Sequence, residues 1–420
     1  MYLIRCLNTI QSLFVVLKRR LLMKSWRSPI NLLWFSQLLC ISLMEMSGPF
    51  WPLFLRELPD VGDNIETWSA CIYAAPLLIS GFVTPFWGRM GDRYGHKAML
   101  LRAITGLAVT QGALCFCDTV WQVLCWRMLQ GALAGVITAA LCYATAIAPE
   151  QHRSRVIGHL TSATAGGAIL GPVLGGFLIQ WLNFQALFAL SALFCLTVSC
   201  VLTFRLERDE PPAYVPIKIR SGVGYSSKYA LIFLMFAIFL MQAAKALPSS
   251  WFALFAEQQL SVTPFITGLI FSSAGVGMMI SAPMWGKRFD NIEPKERLIK
   301  LAFISSVAAT CYLMHLYSDW LGLIIIRFVW GICLGAMLPI LQATMIHLMD
   351  SHKKGGIIGQ AQRFIKFGNL AGVAIGALVL HYWDFQGGFV FAAVVYVVVS
   401  FVLVLATFWL HQSSSSTEPV

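Results

Sequence analysis

The sequence predicts an all-α membrane protein: twelve transmembrane helices forming two six-helix bundles related by a pseudo-two-fold axis. Three observations predict it. The 420-residue chain is 58% hydrophobic and only 12% charged, against roughly 25% in soluble domains, so it has too little polar surface to cover a water-facing globule. Twelve apolar stretches reach the ~20 residues that carry a helix across a bilayer core. Three motifs also recur in the same order at nearly one offset.

The stretches are 31–55, 67–87, 98–117, 121–148, 157–180, 184–204, 229–250, 264–285, 298–317, 320–348, 357–381 and 387–410. Helix is the conformation that satisfies backbone hydrogen bonds within a single span. Residues 1–30 read as a cytoplasmic leader, 31–204 as the first bundle, 205–228 as a cytoplasmic linker, 229–410 as the second bundle and 411–420 as a cytoplasmic tail. The linker carries eight charges, Pro211-Pro212 and Gly222-x-Gly224.

The net charge of +11 is a topology signal rather than a nucleic-acid footprint. Residues 1–30, 88–102, 149–156, 205–228, 286–300 and 349–356 fall on one side of the membrane and hold 24 of the 30 Lys and Arg; the opposite loops hold one, Arg56. Loops rich in Lys and Arg stay in the cytoplasm, so both termini are expected there. Residues 1–17 are apolar but short and precede Lys18-Arg19-Arg20. That order is the reverse of a signal peptide. Two readings stand: an interfacial helix, or translation starting at Met23 instead of Met1.

Of eleven cysteines, Cys40, Cys71, Cys142, Cys195, Cys200, Cys311 and Cys333 lie in or beside apolar spans, where a free thiol behaves as a small hydrophobe. Cys115, Cys117 and Cys125 gather near one face without a His at ligand spacing. No metal site is expected.

The repeats are specific. Pro85-x-Trp87-Gly88-x-x-x-Asp92 returns as Pro283-x-Trp285-Gly286-x-x-x-Asp290, 198 residues on. Arg127-x-x-x-Gly131-x-x-x-Gly135 returns 200 residues on, starting at Arg327, and Gly167-x-x-x-Gly171-x-x-x-Gly175 returns 201 residues on, starting at Gly368. A six-span unit is therefore duplicated. Six is even, so the copies insert the same way up, an arrangement that places a binding site near the midplane between them.

Each motif has a physical reading. In Gly88-Arg89-Met90-Gly91-Asp92-Arg93-Tyr94-Gly95-His96-Lys97, glycines permit a tight turn and Asp92 sits among bases. Gly88, Asp92, Arg93, Gly95, Lys97 and the repeat's Asp290 are expected to latch neighbouring helices in one conformation. A plain charged turn would require neither the Asp nor its return. Arg127 lies a third of the way into a span, where ionisable groups are functional candidates. Gly167, Gly171, Gly175 and Gly176 line up as small residues that admit another backbone, and Pro172 removes a helical hydrogen bond; together they suggest a helix on which two halves rock.

These residues carry a resemblance. From about residue 30 onward the chain resembles the major facilitator superfamily, and within it the twelve-span drug:proton antiporters of bacterial inner membranes. The Gly88–Lys97 segment is similar to the superfamily's loop 2–3 signature, with Met90 and His96 where Leu and Arg are usual. The Gly167–Leu178 segment looks like the antiporter signature of the fifth span. The resemblance implies alternating access and export driven by proton entry; it does not specify the substrate.

The intramembrane charges sharpen the expectation. Glu45 in span 1 is the acid deep within a span, against five bases: Arg127, Lys245, Arg327, Arg363 and Lys366. Ionisable groups held inside a protein are suited to proton exchange, so Glu45, with Arg127, is the proton-coupling candidate, as an acid on the first span is in similar exporters. The excess of base would be relieved by a solvated cavity or an anionic ligand. Gln360, Arg363 and Lys366 share a face of span 11, and Gln242 and Lys245 a face of span 7. With Arg327 they form the expected substrate-binding set. Phe50-Trp51 is placed to line a hydrophobic cavity.

The expected function is proton-coupled export of a small molecule, either a drug or an anionic metabolite such as a carboxylate siderophore. The alternatives are proton-coupled import of an organic anion and, less favoured, a sensor that has lost transport. No phosphate-binding loop, metal cluster or nucleophile elbow points to an enzyme. No cofactor beyond the proton gradient is expected, and a monomer in the inner membrane suffices.

Overall fold

The computed structural model describes residues 27–62, 64–149, 153–207, 225–289, 292–317, 319–347 and 354–415. The leader up to residue 26, with Met23, the linker core 208–224, Asp290 and the last five residues lie outside them, and the side chain of Asp92 is likewise not described.

Twelve membrane-length helical segments follow one another along the described residues. Span 1 is Arg27–Glu45, continued by a 3-10 turn at Gly48–Phe50 and a short helix Trp51–Arg56; span 7 repeats this as Tyr225–Ala246, Leu247–Ser250 and Phe252–Leu260. Span 2 is Ile65–Tyr94, span 3 His96–Leu114, span 5 Arg153–Ile179 and span 6 Phe184–Arg205. Span 8 is Pro264–Phe289, span 9 Pro294–Met314, span 10 Trp320–His347, span 11 Lys354–Tyr382 and span 12 Phe385–Ser415. Eleven spans are long and apolar enough to cross a membrane; the other is span 3, which starts with the bases Lys97 and Arg102.

Span 4 is broken. Its two pieces, Val120–Leu133 and Val136–Ile147, are separated by Ala134, with φ −59° and ψ 167°, and Gly135, with φ +130°. Only glycine takes that φ without steric cost. The backbone groups freed by the break are partly satisfied from neighbouring spans. The Trp87 indole donates to the Ala132 carbonyl at 2.7 Å and Arg102 Nη2 to the Ala134 carbonyl at 3.2 Å. Irregular backbone at membrane depth is tolerated where it lines a cavity, as this stretch does. In the second half, Trp285 donates to the Ile332 carbonyl at 3.0 Å in the same way, yet span 10 stays helical through Gly335.

The buried apolar side chains fall into two main cores. One gathers Trp51, Phe54, Tyr143, Phe184 and Phe188, the other Trp251, Tyr312, Trp330, Phe389 and Tyr396. Within each half, a glycine stripe brings two backbones together. A methyl group at Gly171 would stand 2.6 Å from Glu45 Cβ, and one at Gly175 would land on the Met46 carbonyl; Gly372 and Gly376 meet Ala243 and Leu247 of span 7 in the same way. Gly176 turns to the other half and abuts Pro264, while Pro172, inside an unbroken helix, meets Gly268 of span 8.

The two halves also touch at the face opposite the basic loops. Arg56 and Glu257 form an ion pair there. Phe177 and Phe265 meet edge to face at 6.1 Å between ring centroids, and Ala70 packs with Ala246, Val373 and Ala377.

Candidate functional site

A cavity of about 420 Å³ opens inside the first half between spans 1, 2 and 4, and one residue of the second half, Lys366, reaches it. Its ionisable lining is Glu45, Tyr73, Arg127 and Lys366, with Cys40; Trp51 and Gln130 add an aromatic wall and an amide. The rest is mainly aliphatic and backbone, including the broken stretch from Leu133 to Thr138.

Arg127 is held inward from several directions. Its Nε donates to the Ile72 carbonyl at 3.2 Å, its Nη1 donates to Gln130 Oε1, and its guanidinium lies 4.6 Å from the Trp51 ring centroid. These contacts hold it beside the cavity rather than at the membrane surface. Glu45 ends the first helix, over the Gly48 turn, and the Tyr73 hydroxyl donates to the Gly48 carbonyl. Among the described residues Glu45 makes no hydrogen bond or close ion pair; the charges acting on it are Arg127 and Lys245. Lys366 Nζ donates to Thr84 Oγ1 on span 2 at 3.2 Å.

The expected substrate set is only partly assembled. Lys366 lines the cavity, whereas Arg363 and Gln360 are exposed on the same helix. Arg327, only 3% exposed, is enclosed by Phe252, Phe271 and Trp330, its guanidinium 4.2 Å from the Phe252 centroid. Gln242 is buried beside Gly368. Lys245 does not line the cavity but acts electrostatically on Glu45.

The motif between spans 2 and 3 also differs from a multi-glycine turn. Helix continues through Gly88, Gly91, Asp92 and Arg93 to Tyr94, and Gly95 alone, at φ +91°, makes the turn. Lys97 then donates to the Thr203 carbonyl at 2.9 Å and to the Leu206 carbonyl, fastening span 3 to the end of span 6. Arg93 lies over Tyr94.

Sequence reasoning had not assigned Tyr73, Thr84 and Gln130. Gln130 stood inside the repeated Arg127 motif, and Trp51 recurs as Trp251, 200 residues on. Tyr73 and Thr84 carried no signal beyond their place in an apolar run.

The profile of the Major Facilitator Superfamily matches residues 33–299 and, overlapping, 234–419. The chain belongs to this superfamily. It is therefore a multi-pass membrane transport protein rather than an enzyme. Among superfamily relatives, multidrug resistance protein MdtG of Salmonella heidelberg (strain SL476) is 28% identical over 376 residues, covering 87% of this chain and 92% of the relative. MdtG of Citrobacter koseri is 29% identical over 375 residues, covering 87% and 91%; MdtG of Proteus mirabilis is 28% identical over 378 residues, covering 88% and 94%. Of solved superfamily structures, the human organic anion transporter MFSD10 (TETRAN) superposes with a TM-score of 0.66 at 15% identity, over 90% of this chain and 99% of that one. At that identity the likeness is one of fold.

Proposed function

We propose that this protein is a proton-driven exporter of amphipathic small molecules, working by alternating access as a monomer in the bacterial inner membrane. Resemblance to the MdtG multidrug resistance proteins along nearly the whole chain supports export of drug-like compounds. The observation that carries the reading is the cavity, whose walls are largely apolar and whose one carboxylate is Glu45. Apolar walls with few convergent polar groups suit varied small ligands. A single acid in such a place is the natural carrier of the counter-moving proton.

The cavity's bases, Arg127 and Lys366, outnumber that acid by one, which favours neutral or anionic compounds over lipophilic cations. The Lys/Arg-rich loops and both termini face the cytoplasm in this reading. In this reading the contact between Arg56 and Glu257 lies on the periplasmic side and helps to close it. Residues 31–204 and 229–410 act as the two moving bundles, with Asp92 and Asp290 as latch residues on the cytoplasmic side.

The deciding experiment is accumulation in everted membrane vesicles under an imposed proton gradient, comparing cationic drugs with citrate-type siderophores. Uncoupler-sensitive accumulation of either class supports proton-driven export, and the preferred class fixes the substrate. Accumulation that ignores the uncoupler would remove the proton as driving ion, and loss of preloaded compound on acidifying the lumen would reverse the reading in favour of import.

A further inference from the structure

Resting on the reading that the cavity takes anionic compounds, we propose that Thr84 is a positioning residue for Lys366. It holds that base over the cavity in the arrangement seen here, so that anions bind tightly while the periplasmic side is closed and loosely once it opens.

The contact is a hydrogen bond between the halves. Lys366 of span 11 donates to Thr84 Oγ1 of span 2 at 3.2 Å, and both residues line the cavity. The Thr84 hydroxyl gives its own proton to the Ser80 carbonyl of its helix, so toward Lys366 its oxygen can only accept. An ammonium group has three N–H donors and no acceptor. Thr84 is the one hydrogen-bond partner of Lys366 among the described residues, which leaves two N–H groups for a ligand. A lysine on its flexible stem loses rotamer freedom when it is held. Thr84 imposes that loss before a compound arrives, and a pre-ordered group binds more tightly.

Arg127, the other base of the cavity, is held differently. Its partners Ile72, Gln130 and Trp51 all belong to its own half, so its place does not depend on how the halves meet. Lys366 comes from the second half, and its partner Thr84 from the first. Relative movement of the two bundles separates span 11 from span 2 at this point and frees the lysine. An exporter needs that order of affinities, tight where it loads from the cytoplasm and loose where it releases, because a ligand shifts a conformational equilibrium only by its differential affinity.

The fold does not require this bond. The offsets of 198 for span 2 and 201 for span 5 place Ala282 at the position equivalent to Thr84 and Ala165 at that of Lys366. The sister seam, between spans 5 and 8, is joined by neutral contacts instead: Ser272 donates to the Ile169 carbonyl at 2.7 Å, and Gly176 and Gly268 abut prolines. Of the two seams, the charged contact stands in the one that borders the cavity.

The test is equilibrium dialysis of naphthoate and naphthamide, one ring system with and without a charge, against the full chain in lipid nanodiscs, with binding to empty nanodiscs subtracted. The parent should prefer naphthoate. Thr84→Val, which exchanges the hydroxyl for a methyl group, should weaken naphthoate about three- to tenfold, the order expected when one long side chain is left to be immobilised on binding. Its naphthamide binding should be unchanged, which also reports an intact cavity. Thr84→Ser should match the parent, and in a Lys366→Gln background Thr84→Val should have no further effect. Cross-linking Arg56→Cys to Glu257→Cys, with the native cysteines replaced, should keep or sharpen the preference for naphthoate. Unchanged or stronger naphthoate binding by Thr84→Val overturns the proposal, as does an equal loss for both compounds. A smaller preference in the cross-linked protein overturns the dependence on this arrangement. A parent that does not prefer naphthoate, or a Lys366→Gln variant that binds it as well as the parent, sinks the anionic reading itself, whatever Thr84 does.

Discussion

The guanidinium of Arg102 lies 3.6 Å from the centroid of the Trp87 ring, and both side chains reach the break in span 4, Trp87 at the Ala132 carbonyl and Arg102 at the Ala134 carbonyl. Trp87→Phe keeps an aromatic ring but removes the N–H. A fully buried carbonyl left without a donor costs about 1–3 kcal/mol, and the Ala132 carbonyl is partly buried, so the lower end of that range applies. The variant is therefore expected to melt several degrees lower in detergent, read by fluorescence-detected unfolding, and a melting curve matching the parent would remove Trp87 as a support of the break.

Gly175→Ala should destabilise the first bundle. Its methyl would land on the Met46 carbonyl, and overpacking of this kind costs about 1–3 kcal/mol. The same method checks it, with Gly88→Ala as control, because a methyl at Gly88 meets open space.

Arg127→Lys keeps the charge but cannot reproduce the donation to both the Ile72 carbonyl and Gln130 or the guanidinium's position over Trp51. Export in everted vesicles is expected to fall at least about tenfold, the effect of ~1.4 kcal/mol, with membrane insertion unchanged. Parent-level export would mean that only the charge matters.

Lys366 and Arg363 should separate cleanly. Lys366→Gln removes a cavity base and should weaken accumulation of an anionic dye more than that of a cationic one. Arg363→Gln, on an exposed position of the same helix, should leave both unchanged. Equal effects of the two variants would return the whole basic face of span 11 to the site.

Glu257→Gln breaks the ion pair with Arg56. Both side chains are partly in solvent, so the pair is worth about 0.2–1 kcal/mol. Transport should change less than about fivefold, and less still at high salt. A larger, salt-insensitive loss would make this pair a principal clasp.

Much of this architecture was legible because it is written as periodicity. The apolar runs have the length the bilayer demands, and the repeat offset revealed the duplication before any coordinate did. Glu45 and Arg127 stood out because charge in a span is costly. The composition of the cavity was less legible. Tyr73 and Thr84 look like ordinary residues of an apolar helix, and which face they present depends on how spans 2 and 11 approach each other. Arg363 and Lys366 look equivalent by spacing, but only Lys366 lines the cavity. The break at Gly135 was hidden because its counterpart Gly335 carries the same motif and stays helical.

The contacts at Gly176 and Gly268 also bear on how the two halves can rearrange. Gly176 stands against the backbone of Pro264, and Gly268 against that of Pro172. At either point backbone meets backbone, so there is no side chain there that could yield and the contact cannot be tightened. The paired seams therefore behave as a bearing: they permit turning and sliding and resist compression.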